Sequence, residues 1–255
     1  MPTPSPTITR LEKAAVDNGF DRKLTPQGNW IALASTHAPL RIWLTADDEG
    51  HPVAALSQLN VVRALGDHGT QAHVQLPPDA LGARSVADVP SLHRLLRRAF
   101  QLSRTLPHEL LQAYERRTAT LPRTTEAERL VVQRVGQDVF RQGLLEYWEG
   151  RCAITGLAVP ELLRASHIKP WADCETDAER LDVFNGLLLA PQLDAAFDQG
   201  FITVTQDGEI LVSSRLASTD RTLLGLIPGL RVVGLADGHR GYLPWHRERV
   251  FKPSR

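Results

Sequence analysis

Cysteine is nearly absent from this chain: two occur in 255 residues, Cys152 and Cys174, with no CxxC pair. That excludes a disulfide-stapled scaffold and a four-cysteine zinc site. An excess of one charge is also missing, because 29 Lys plus Arg balance 29 Asp plus Glu. A protein that coats polyanions by bulk charge is thereby excluded, and any nucleic-acid surface must be a local patch. No run approaches the roughly 18 apolar residues of a membrane span. The N-terminal MPTPSPTITRLEKAA has no apolar signal core, so the expectation is a reducing cytoplasm and no membrane. Lysine is scarce, at positions 13, 23, 169 and 252 alone; the remaining basic residues are Arg. Arg suits bidentate phosphate contacts, but a GC-rich genome produces the same bias.

What remains is an ordinary globular composition, 42% hydrophobic and 23% charged. Residues 1–9 are Pro/Thr/Ser-rich and read as frayed, with a short helix from Leu11 to Gly19. GNWIALAS, PLRIWLTA and PVAALS read as strands, with Ile31/Leu33 and Ile42/Leu44 at period two and Trp30 and Trp43 on the opposite faces. Residues 59–65 form a helix ended by Gly66, and a polar segment with Pro77-Pro78 follows. A helical stripe over 91–117 is interrupted near Pro107. Thr125 followed by Glu128 is a capping-box pattern that opens a helix to Trp148. The domain boundary falls in the loop near 120, giving a domain of 1–120 and another of 121–255. The window 94–134 is the most basic of the chain, with Arg at 94, 97, 98, 104, 116, 117, 123, 129 and 134. It is either a solvated helix face or a surface that tracks phosphates, for which Arg129 and Arg134 are the candidates.

Residues 151–212 carry the chemistry. RASHIKPW places His167 in a short apolar strand, VFNG is a turn built on Asn185, and PQLDAAFDQG is a short helix closed by Gly200. Asp194 and Asp198 are four apart on one helix face, where they repel unless a positive group sits between them. A divalent cation is one solution; an Arg or a helix N-terminus is another. A strand-borne imidazole beside a helix-borne metal is a constellation for phosphodiester hydrolysis: neutral His takes a proton from water, and the cation neutralises the phosphate.

Taken together, Cys152-Ala-Ile-Thr-Gly156, Leu163-Arg-Ala-Ser-His-Ile-Lys-Pro-Trp171, Asn185-Gly186 and Asp194-Ala-Ala-Phe-Asp198-Gln-Gly200 resemble the HNH endonuclease superfamily, in its bacterial restriction-endonuclease subgroup. The similarity spans roughly residues 125–213, and YLPWHRERVF near the C-terminus is a softer match. The expected fold is α+β: a small N-terminal α/β domain, reader-like by architectural analogy alone, followed by the ββα-metal (HNH) nuclease domain that the resemblance implies. The resemblance also implies His167 as general base, Asn185 in the catalytic set as the brace of the hairpin, and Asp194 as ligand of Mg²⁺ or Mn²⁺. Asp198 is either a second ligand or an orienting group. Two departures stand out. Ser166 occupies the place of an Asp ligand before the base, and Gln192 or Leu193 the place of the last His. Lys169 and Arg164 either approach DNA or stay solvated; Trp171 is a core anchor or a stacking platform; His246 and Arg247 clasp the tail or touch DNA. In the first domain, Trp30 and Trp43 belong to a core or to a reader of flipped bases. The function implied is a metal-dependent endonuclease of double-stranded DNA in restriction or defence, cutting as a homodimer or by successive nicks. The alternative is a degenerate HNH-fold module that binds DNA without cutting it.

Overall fold

The computed structural model describes residues 6–122 and 124–254, so residues 1–5, Arg123 and Arg255 lie outside the described residues. The chain divides into two compact units, Met1–Leu106 and Pro107–Arg255. This division lies one helix before the boundary expected near 120.

In the first unit, α1 (Pro6–Asp17) already covers part of the stretch expected to be frayed. Lys13 pairs with Asp17 one turn on, and Leu11, Ala14 and Ala15 form its buried face. Then follow β1 (Arg22–Lys23), β2 (Ile31–Ala34), β3 (Arg41–Ala46), β4 (Pro52–Leu56), α2 (Leu59–Ala64), β5 (Thr70–Gln71), β6 (Gly82–Ser85) and α3 (Val89–Thr105). The strands form one antiparallel sheet in the order β1-β2-β3-β4-β6-β5. Side chains alternate across it. The opposite face from Ile42 and Leu44 carries Trp43, which is 1% exposed and packs with Ala32, Val53, Ala55, Ala80 and Ala83. Trp43 is thus a core residue. Trp30, half-buried, packs against the same cluster.

In the second unit, α4 (Pro107–Thr118) packs on α5 (Glu126–Tyr147). A Cβ at Gly143 of α5 would lie 2.4 Å from Leu110 of α4, so the missing side chain is what lets the helices meet. The helix break at Leu106 comes where Pro107 can open a helix but not continue one. The capping box at Thr125 and Glu128 is formed as expected, with each side chain bonding the other's backbone N–H. Two antiparallel strands follow, β7 (Arg164–His167) and β8 (Gly186–Leu189), separated by α6 (Asp177–Arg180). Next come α7 (Pro191–Asp198), the hairpin of β9 (Ile202–Val204) and β10 (Ile210–Val212), and three short helices, α8 (Ser218–Leu223), α9 (Asp237–Arg240) and α10 (Leu243–Arg249). The protein is therefore α+β. No helix among the described residues is long and apolar enough to cross a membrane.

Candidate active site

β7, β8 and α7 bring the chemistry together. In the register of the hairpin, His167 lies opposite Gly186. A Cβ on Gly186 would come within 2.5 Å of Phe140, so glycine there allows α5 to press against the hairpin. Phe140 uses that access to stack on His167, with ring centroids 3.8 Å apart and planes at 16°. Trp171 meets the imidazole edge-on at 5.7 Å, and reaches its own place because α5 carries Gly136, where a Cβ would lie 2.5 Å from the indole.

The polar contacts of His167 fix its tautomer. Nε2 is 2.9 Å from the backbone oxygen of Arg180. A carbonyl only accepts, so Nε2 carries the proton and Nδ1 keeps its lone pair. No group among the described residues bonds Nδ1. Burial pushes the imidazole pKa down to about 4 against the opposing pull of the Arg180 carbonyl. His167 is therefore neutral at physiological pH and able to take a proton.

Arg180 is held on three sides. Its guanidinium donates to the backbone oxygens of Trp171 and Cys174 and to Asp177, and lies 5.9 Å from the Trp171 ring centroid. Asn185 braces the same loop from inside, fully buried in the turn before β8. Its Oδ1 accepts from the Lys169 N–H at 2.8 Å, and its Nδ2 donates to the Lys169 and Glu179 carbonyls and faces Cys174 Sγ. Every polar atom of Asn185 is spent on the scaffold, which makes it a positioning residue.

The two carboxylates are carried by α7, which packs on β7. Ser166, buried on β7, donates to Asp198 Oδ1 at 3.1 Å and so ties β7 to α7. Burial raises the carboxyl of Asp194 above the usual range, against the Ser166 hydroxyl and the positive charge of Arg164. Burial and then the charge of Asp194 raise Asp198, again against Ser166. Two adjacent carboxylates that each resist ionisation are hard oxygen donors short of positive charge, which suits a small divalent cation. No group of three or more His, Cys, Asp or Glu among the described residues could enclose a metal. An open cleft of about 350 Å³ joins His167, Ser166 and Asp198 with Trp171, His246 and Val250.

The remaining sequence candidates fall into different places. Leu193 is fully buried in the core of α7, while Gln192 is exposed in its first turn. Lys169 is paired with Glu179 at 2.7 Å, and that bond holds its ammonium above the usual value. Arg164 is exposed on β7 and folds back onto the Leu162 and Leu163 carbonyls. Arg129 and Arg134 are exposed on α5; Arg129 also donates to the Thr124 carbonyl. His246 is 1% exposed, stacked on Phe197 at 3.7 Å and bonded to Thr203 Oγ1 and the Phe197 carbonyl. It clasps α10 to α7 and β9. Sequence reasoning missed Phe140, Glu179 and Arg180. Phe140 carries only the helical period as a signal, and Arg180 acts at His167 through its backbone.

Residues 152–205 match the family model described as HNH endonuclease. This segment belongs to the HNH superfamily. The match begins at Cys152 and contains His167, Asn185, Asp194 and Asp198, so the second unit carries a nuclease domain of the HNH type. No curated protein matches the chain.

Proposed function

We propose that the protein is a metal-dependent endonuclease that hydrolyses phosphodiester bonds of double-stranded DNA, with a role in restriction or defence. The observation that carries the reading is the tautomer of His167: Nε2 is committed to the Arg180 carbonyl, and Nδ1 is unengaged on a residue that lines the cleft with Asp198. In this reading Nδ1 accepts the proton of the attacking water. Phe140 and Trp171 hold the ring and keep it neutral, Arg180 and Asn185 fix its loop, and Ser166 orients Asp198. Asp194 and Asp198 would hold Mg²⁺ or Mn²⁺, which supplies charge neutralisation at the phosphate and the departing oxygen. A general base of this kind contributes about 10²–10⁴-fold in rate.

With one such cleft among the described residues of each chain, cutting both strands takes a homodimer or two nicks. The first unit would select the DNA, through a modified base or its shape, with surfaces other than the buried Trp43. A catalytically degenerate module is the second reading, favoured by Gln192 and Leu193, neither of them His, at the place where the family resemblance implies a last His. Nicking of supercoiled plasmid, modified and unmodified, with Mg²⁺ or Mn²⁺ separates the two. The account expects metal-dependent nicking by the parent and its loss in His167→Ala and in Asp194→Ala. DNA binding without nicking under every condition would support the degenerate module.

A further inference from the structure

A second groove adjoins the cleft within the same unit. It measures about 440 Å³ and is lined by Trp171, Gln133, Arg129, Tyr114, Asp177 and Arg180, among others. Trp171 lines both the groove and the His167 cleft, so whatever fills one adjoins what fills the other. Three features mark its chemistry. The indole is only half-buried, although Gly136 and Arg180 fix it in place. Gln133 of α5 is partly exposed, and no bond within the described chain engages its amide. At the rim, Arg180 is paired with Asp177, and the guanidinium of Arg129 adds positive charge. A half-buried indole, an amide without a partner and the charge of Arg129 together suit a nucleotide: the side of the ring away from Arg180 supplies a stacking face, the amide a donor–acceptor pair, and Arg129 a charge for phosphate. A base inside a duplex stack cannot enter a concave groove, so the occupant must protrude.

We propose that this groove holds an unstacked nucleobase next to the scissile phosphate, packed against Trp171 with its edge on Gln133. The inference rests on the nuclease reading and deepens it, by assigning the site DNA whose flanking base is mismatched or flipped. Such a base costs least to extrude.

The test uses the full chain and a short DNA duplex carrying a single 5-iodouracil, either paired or opposite a mismatch. Irradiation of the duplex with His167→Ala protein is followed by peptide mapping of the crosslink. In parallel, nicking of the same two duplexes by the parent is timed with Mn²⁺. The expected result is a crosslink on Trp171, at least about fivefold stronger from the mismatched duplex, and nicking faster by a similar factor beside the mismatch. Gln133→Ala should narrow the preference for the mismatched duplex. A crosslink that avoids Trp171, or equal behaviour of the two duplexes, overturns the subsite. Crosslinking at Trp171 without any nicking by the parent supports the subsite and removes the nuclease reading instead. Nicking without a crosslink at Trp171 does the reverse.

Discussion

Replacing Asn185 removes the pivot on which the cleft turns. Its carboxamide is fully buried and serves the N–H and carbonyl of Lys169 and the carbonyl of Glu179. Asn185→Ala leaves these backbone groups without their partner, each costing roughly 1–3 kcal/mol. Some water entry offsets part of this, so the expected loss is about 3–5 kcal/mol, a large share of the 5–15 kcal/mol typical of a domain. Asn185→Asp keeps the shape and the acceptor for the Lys169 N–H. It also turns a carboxylate oxygen toward two carbonyls that need a donor, so at neutral pH it should cost no less than the Ala variant. Protonation in acid restores a donor and should narrow the gap. Urea unfolding followed by tryptophan fluorescence, with Trp148, Trp171 and Trp245 in this unit, reads the change. A loss below about 1 kcal/mol in Asn185→Ala, or an Asp variant as stable as the parent at pH 7, would refute the bracing argument.

Three further outcomes follow from the same geometry. His167 and His246 both have pKa values pushed down to about 4, whereas an unfolded His titrates near 6.5, so the unfolded chain binds more protons between those values. Their contribution is complete above about pH 6.5 and is lost as pH falls toward 4. Melting temperature should drop across that window, and less steeply in His246→Gln; equal slopes would contradict the assignment. Gly200 has φ +71°, and a Cβ there would strike the Val250 carbonyl, so Gly200→Ala should lose about 2 kcal/mol or more in urea unfolding. Arg180→Ala should loosen the carbonyl that sets the His167 tautomer, seen as a mixture of Nε2–H and Nδ1–H signals in ¹⁵N spectra, with Arg180→Lys intermediate. A pure Nε2–H signal in the Ala variant would show that the guanidinium does not position the loop.

Where local physics decided the outcome, the sequence was legible. Ile31/Leu33 and Ile42/Leu44 alternate as a sheet with two covered faces demands, Thr125 and Glu128 close their capping box, and Pro191 opens a helix that Gly200 ends. The unread elements lack such signals. β6, with sequence GARS, has no alternation, and is a strand because β4 offers it a partner. The short helices α8, α9 and α10 are set by packing more than by propensity. In the site, His167 and the two Asp were visible because their types and spacing carry chemistry. Phe140, 27 positions before the imidazole it covers, and Arg180, which acts through a backbone oxygen, were not. Lys169 shows the reverse case: its charge suggested a phosphate, yet a partner ten residues away, Glu179, takes it.

The central claim is that Nδ1 of His167 is the proton acceptor in phosphodiester hydrolysis. Chemical rescue tests it most directly. His167→Gly removes the imidazole and leaves a space beside Phe140, while Asn185, Ser166 and the two carboxylates stay in place. The account predicts metal-dependent plasmid nicking by the parent, a loss of roughly 10²-fold or more in the variant, and partial recovery as free imidazole is added. Recovery should track the neutral form of the added base. A parent that never nicks, or a folded variant that nicks as fast as the parent, would contradict it.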